Sequence, residues 1–118
     1  MIVGAVIGAA GVTTLQAQGK VKAYTVTELE TLDSAAAATV AGQITKAQSA
    51  AGGRNLRTGG GKVTAMEGPP PPPRVAITEW DNLQKAEAFF KSKAWTDLQA
   101  ARDKGLKTIR RYAVEVRG

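Results

Sequence analysis

All five prolines of this chain stand in one block, Pro69 to Pro73, and that block constrains the rest of the fold. Proline has no amide hydrogen to give to a helix or ladder, and its ring fixes φ. Neither a helix nor a central strand can therefore run through five in succession. Such a block is a stiff polyproline II spacer. It cuts the chain into two parts that must each supply their own strand and helix. Between two strand-like runs it reads as a rigid hairpin connection that stops one strand and launches the next. The competing use, a proline-rich ligand for an aromatic groove, calls for an exposed flexible setting and more flanking motif.

Before the block, "KAYTVTELE" (22–30) alternates and is rich in β-branched residues, which predicts the first strand. Asp33 or Ser34 can cap a helix by accepting from free amides of its first turn. Ala37, Val40, Ile44 and Ala47 then share one face. Gly52 and Gly53 close this helix. "RNLRTGGGKVTAMEG" (54–68) is the second strand region, with Gly59 to Gly61 as a bulge or tight turn. A phosphate-cradling loop would have to lead into a helix, whereas this one leads into strand-like "KVTAM".

After the block, "RVAITEW" (74–80) predicts the third strand. Asp81 with Gln84 three residues on resembles a capping box. Leu83, Ala86, Phe90, Ala94, Leu98 and Ala101 form a helical stripe, with a break near Ser92 and a stop at Gly105. "LKTIRRYAVEVRG" supplies the last strand, centred on Ile109 to Val116. The order β-α-β-β-α-β predicts an α+β, ferredoxin-like sandwich: a four-stranded antiparallel sheet with both helices on one face. The other face must meet water, a ligand or a second subunit.

The first residues read differently. Ile2 to Val12 is uncharged and apolar, too short to span a bilayer, and suited to the hydrophobic region of a signal peptide. Residues 1–17 are thus expected to be removed after Ala17, leaving 18–118 as a single domain exported to the periplasm, without stable membrane association. The competing reading keeps the segment as a buried N-terminal helix of a cytoplasmic protein.

Composition excludes more than it assigns. There is no His and no Cys, which removes thiol–imidazole catalysis, disulfides and the commonest transition-metal ligands. No metal and no cofactor are expected. The net charge of +6 is spread along the chain, and the Lys/Arg-Gly-Phe-type motif of an RNA-binding sheet is missing, so nucleic acid is not an expected partner.

Several stretches together carry a family resemblance. They are "GGR" (52–54), Arg57 with Gly59 and Gly60, "EG" (67–68), "PPRVAITEW" (72–80), "AEAFFKSKAW" (86–95) and the closing "YAVEVRG". In that order they resemble the bacterial family called domain of unknown function 1330, over nearly all of the chain after residue 17. The resemblance implies a homodimer, a dimeric α+β barrel in which two sheets pack face to face around a cleft. It implies no established reaction. Related barrels include cofactor-free oxygenases and small-molecule binders, by analogy of fold alone.

Alternation in the third strand puts Val75, Ile77 and Glu79 on one face and Ala76, Thr78 and Trp80 on the other. Glu79 closes an apolar face, where burial would raise its pKa and suit it as a catalytic base. The alternative is a solvated or arginine-paired carboxylate. Arg57 and Arg74 flank the proline connection and could clamp a carboxylate bidentately. Tyr24, Glu28, Arg111, Tyr112 and Trp80 complete the candidate ligand-binding set, with core packing the competing role for Trp80. These observations lead to a homodimer binding a small, anionic organic molecule between its sheets. The alternatives are a cofactor-free oxygenase- or isomerase-like enzyme with Glu79 as base, and a purely structural or stress-related dimer.

Overall fold

The computed structural model describes residues 21–117, so the expected cut after Ala17 lies outside them. The elements are β1 (Lys22–Thr31), α1 (Ser34–Ala50), β2 (Arg54–Asn55), β3 (Arg74–Trp80), α2 (Leu83–Lys91), α3 (Lys93–Thr96), α4 (Gln99–Gly105) and β4 (Leu106–Val116). The sheet order is β2-β3-β1-β4, antiparallel throughout. This is the expected four-stranded α+β arrangement.

Local chemistry accounts for most boundaries. The Asp33 carboxylate accepts from the Ala36 amide at 2.8 Å and starts α1. Ala37 and Val40 are buried on its inner face. Gly52 adopts φ +95°, the left-handed conformation that lets the chain reverse after the helix. The second helix starts one residue later than the capping box predicts. Asn82 accepts from the Lys85 amide at 2.8 Å, while Asp81 pairs with Arg54 and Lys85.

The break at Ser92 is present and has a consequence for the stripe. Its hydroxyl accepts from the Trp95 amide, starting the short α3. This restart leaves Ala94 exposed and puts Trp95 in the core instead. Trp80, Ala86, Phe89 and Trp95 form that core, with Ile44, Ala47 and Phe90 packed against it. Trp80 is fully buried and donates to the Thr25 hydroxyl at 3.0 Å, so it is a core residue rather than a ligand contact.

The second strand is much shorter than predicted. Only Arg54 and Asn55 are in strand register with β3, the Leu56 amide adds one bond to the Ile77 carbonyl at 3.0 Å, and "KVTAM" is not a strand. Arg57 turns to φ +59°, which takes the backbone out of the ladder. The Thr58 side chain replaces the missing backbone pairing: its hydroxyl donates to the Val75 carbonyl at 2.6 Å and accepts from the Ile77 amide at 3.0 Å. The glycines and prolines thus form one long connection ending at β3, rather than a hairpin between two full strands.

Strand β4 carries an extra residue. Its pairing with β1 shifts between Glu28 and Leu29, so Ile109 has no partner opposite it. Leu106 and Thr108 face the helices before this bulge. After it the alternation is reversed, so Arg111 faces the helices and Arg110 turns outward. The sequence "IRR" therefore delivers one arginine to each face of the sheet.

Candidate functional site

The open face of the sheet carries Tyr24, Val26 and Glu28 of β1 opposite Glu79, Ile77 and Val75 of β3, and opposite Val114, Tyr112 and Arg110 of β4. Glu79 is fully engaged there. Its Oε2 accepts from the Tyr24 hydroxyl at 2.6 Å and from Lys22 Nζ at 3.3 Å, and its Oε1 accepts from Arg54 Nε at 2.6 Å. The Tyr24 hydrogen bond first, then Arg54, hold the carboxyl down at about 2. This is the reverse of the raised pKa that a buried base needs. The same bond raises Tyr24, whose proton it retains. At the other end of this face Glu28 pairs with Arg110 Nε at 2.8 Å. The carboxylates of the open face are satisfied ion-pair partners.

The opposite face differs. Between the sheet and the helices lies a partly open cavity of about 50 Å³, lined by Thr27, Gln48, Thr78, Trp95, Arg102 and Arg111 among others. Arg111 reaches it from β4 because of the bulge, and its Nε donates to the Thr27 hydroxyl at 3.0 Å. Its guanidinium lies 4.6 Å from the Trp95 ring centroid and 5.0 Å from that of Phe90. Arg102 reaches the cavity from α4, lying 3.8 Å from the same Trp95 ring.

Neither arginine has a carboxylate partner within 4.0 Å among the described residues. The Arg102 Nε is buried without a hydrogen-bond partner. Burial, and then the neighbouring Arg102 charge, bring the Arg111 guanidinium down to about 10. Two like charges stand together at a partly desolvated place, which is costly unless an anion joins them.

A second, wider cavity adjoins this chamber. It measures about 340 Å³, shares Leu29, Ile44, Asn55, Ala76 and Leu106 with the first, and is rimmed by Arg57, Arg74, Gly59 and Gly60. Arg74 is anchored there by its Nε on the Gly59 carbonyl at 3.1 Å and its Nη1 on the Thr31 hydroxyl at 2.9 Å. The Asn55 side chain accepts from the Arg57 amide at 2.6 Å, holding that residue's left-handed turn.

The sequence-derived set therefore separates. Arg57 and Arg74 line one of two adjoining cavities and Arg111 the other, whereas Tyr24, Glu28, Glu79 and Tyr112 lie on the other face. Sequence reasoning missed Arg102, although a signal was present: it follows Leu98 by one helical turn, an arginine on an apolar stripe. Among the described residues, the two cavities are lined by guanidinium, amide, hydroxyl and apolar groups, with no carboxylate and no lysine. Such a lining can bind and orient an anion, but offers no ordinary proton acceptor. No group of three Asp or Glu side chains that could hold a metal occurs among the described residues. No helix among them is long and apolar enough to cross a membrane.

Comparison with known families now gives the assignment. The family described as domain of unknown function (DUF1330) matches residues 22–116. The chain belongs to the DUF1330 family. A comparison with curated proteins finds no match. Among solved structures, a protein of unknown function from Rhodopseudomonas palustris is similar to this DUF1330 chain with a TM-score of 0.60 at 10% identity, covering 90% of this chain and 91% of that one. At that identity the likeness concerns the fold alone. A Bacteroides fragilis protein, described as dimeric, of unknown function and ferredoxin-like in fold, aligns at 15% identity with a TM-score of 0.45 over 86% of this chain and 98% of that one.

Proposed function

We propose that this DUF1330 protein is a homodimer that binds a small organic anion in the cleft between its sheet and its helices. The observation that carries the binding reading is the Arg102–Arg111 pair beside Trp95, with no carboxylate within 4.0 Å of either among the described residues and Asp103 acting on Arg102 only from farther away. The site differs from the one expected between two sheets, because the unsatisfied charge lies on the helix side. The dimer reading rests on the open face. Tyr112, Val114 and Val116 are each about half exposed there, beside Val26 and Ile77. A second copy would remove this apolar surface from water. Catalysis with Glu79 as base draws no support from a carboxyl held at about 2.

Native mass spectrometry of gently purified protein tests both parts. The expected result is a dimer carrying added mass that Arg111→Met no longer retains. A monomer refutes the dimer. Added mass kept by Arg111→Met, or a bare protein whose stability no carboxylate changes, refutes the anion site.

A further inference from the structure

The described residues contain seven arginines, and their partners divide them into two groups. Arg54, Arg110 and Arg117 each contact a carboxylate. Arg57, Arg74, Arg102 and Arg111 have no such partner among the described residues, and these four line the two adjoining cavities. None of the three paired arginines does. Among the described residues, carboxylate pairing thus falls on three arginines elsewhere and on none of the four around these cavities.

Their placement has a direction. Arg102 and Arg111 stand at the narrow end, where about 50 Å³ is available, and both also border a wider outer pocket beside Asp103 and Lys107. A water needs roughly 10–15 Å³ on this measure, so the space suits a carboxylate and little more. Arg57 and Arg74 stand at the mouth, in the wider space of about 340 Å³. Both cavities border on Leu29, Ile44, Ala76 and Leu106, a stretch of apolar wall suited to methylene groups. Arg57 is held in a left-handed backbone conformation, which side chains other than glycine adopt only at a cost and which is frequent at ligand sites. The anchored Arg74 beside it has no hydrogen bond from its Nη2 among the described residues.

Resting on the anion-binding reading of this cleft, we propose that its ligand is a short linear dicarboxylate, with one carboxylate between Arg102 and Arg111 and the other at Arg57 and Arg74. A monocarboxylate would neutralise only the inner pair and leave the mouth arginines bare.

Isothermal titration of the full chain with matched acids tests this: succinate against butyrate, and adipate against hexanoate. The diacid of at least one pair should bind about tenfold more tightly than its monoacid, the gain expected from one added charge-assisted contact. Arg57→Asn, which tolerates the left-handed backbone, should bring that ratio towards one, and Arg74→Gln should act in the same direction. Arg111→Met should abolish binding of both acids. Monoacids binding as tightly as diacids in the wild type, or a diacid preference that survives both mouth substitutions, would overturn the dicarboxylate and leave the inner anion site standing. Wild-type protein that binds none of the four acids would remove both.

Discussion

Replacing Arg111 by methionine should make the ligand-free protein more stable, although the position is largely buried. A guanidinium brought down to about 10 by burial and by Arg102 carries a cost in the folded state of roughly 3 kcal/mol. Part of the side chain still meets water, which reduces this to about 2 kcal/mol. Against it stand the contacts with Trp95 and Phe90 at 4.6 and 5.0 Å. Methionine largely returns these through its thioether. The hydrogen bond to Thr27 is lost, at about 1 kcal/mol. The balance is a gain of about 1 kcal/mol, or a rise in Tm of roughly 4–8 °C for a domain of this size. Thermal unfolding followed by circular dichroism, at equal protein concentration, measures it.

The pH dependence has a definite sign. A base with a depressed folded pKa bears the full cost of its charge while it stays protonated, below about 10. The advantage of Arg111→Met should hold steady from about pH 6 to 9 and shrink above the folded pKa. Adding a carboxylate that binds should raise the wild-type Tm alone and narrow the gap. A variant less stable than wild type by more than about 1 kcal/mol would refute the reasoning, because the cleft charge would then be holding the fold together rather than straining it.

Two further predictions concern the scaffold and the open face. A Cβ on Gly105 would lie 2.5 Å from the Ala37 amide nitrogen and 2.7 Å from the Ala36 carbonyl carbon. Gly105→Ala should therefore force α1 and α4 apart at a cost of about 3 kcal/mol in urea unfolding, and a change below about 0.5 kcal/mol would show that this contact gives way freely. For Glu79, an NMR titration of the side-chain carboxyl should give a midpoint near 2, moving upward in Tyr24→Phe. Because the folded pKa is depressed, its stabilising effect is complete above the unfolded carboxylate value of about 4.3 and lost as pH falls towards the folded one. Glu79→Gln should remove that acid-sensitive component, and a wild-type midpoint above the ordinary carboxylate range would restore Glu79 as a candidate base.

Much of the architecture was legible because it depends on near neighbours in sequence. Alternation placed Val75, Ile77 and Glu79 opposite Ala76, Thr78 and Trp80, and the register agrees. Side-chain capping by Asp33 and the break at Ser92 act within three residues, so each could be read directly. The second strand was not legible in the same way. "KVTAM" has strand composition, yet a strand needs a partner edge, and the Arg57 turn with the Thr58 hydroxyl takes up the β3 edge first. Glu79 was placed on the right face with the wrong electrostatics. Its partners Tyr24 and Arg54 are 55 and 25 residues away in sequence, and no periodicity reports them.

The cleft shows where sequence stops and tertiary structure begins. By itself the sequence determined the element order, which residues of β3 share a face, and a chain whose chemistry must be done without His or Cys. It could not determine which arginines would be neutralised, since Arg110 and Arg111 are adjacent and alike. The decision is made by the unpaired Ile109, which reverses the alternation of β4, sends Arg110 out to Glu28 and turns Arg111 in beside Arg102. A bulge is a property of two strands held in register, and charge pairing is a property of the three-dimensional neighbourhood. Both exist only once the sheet has formed.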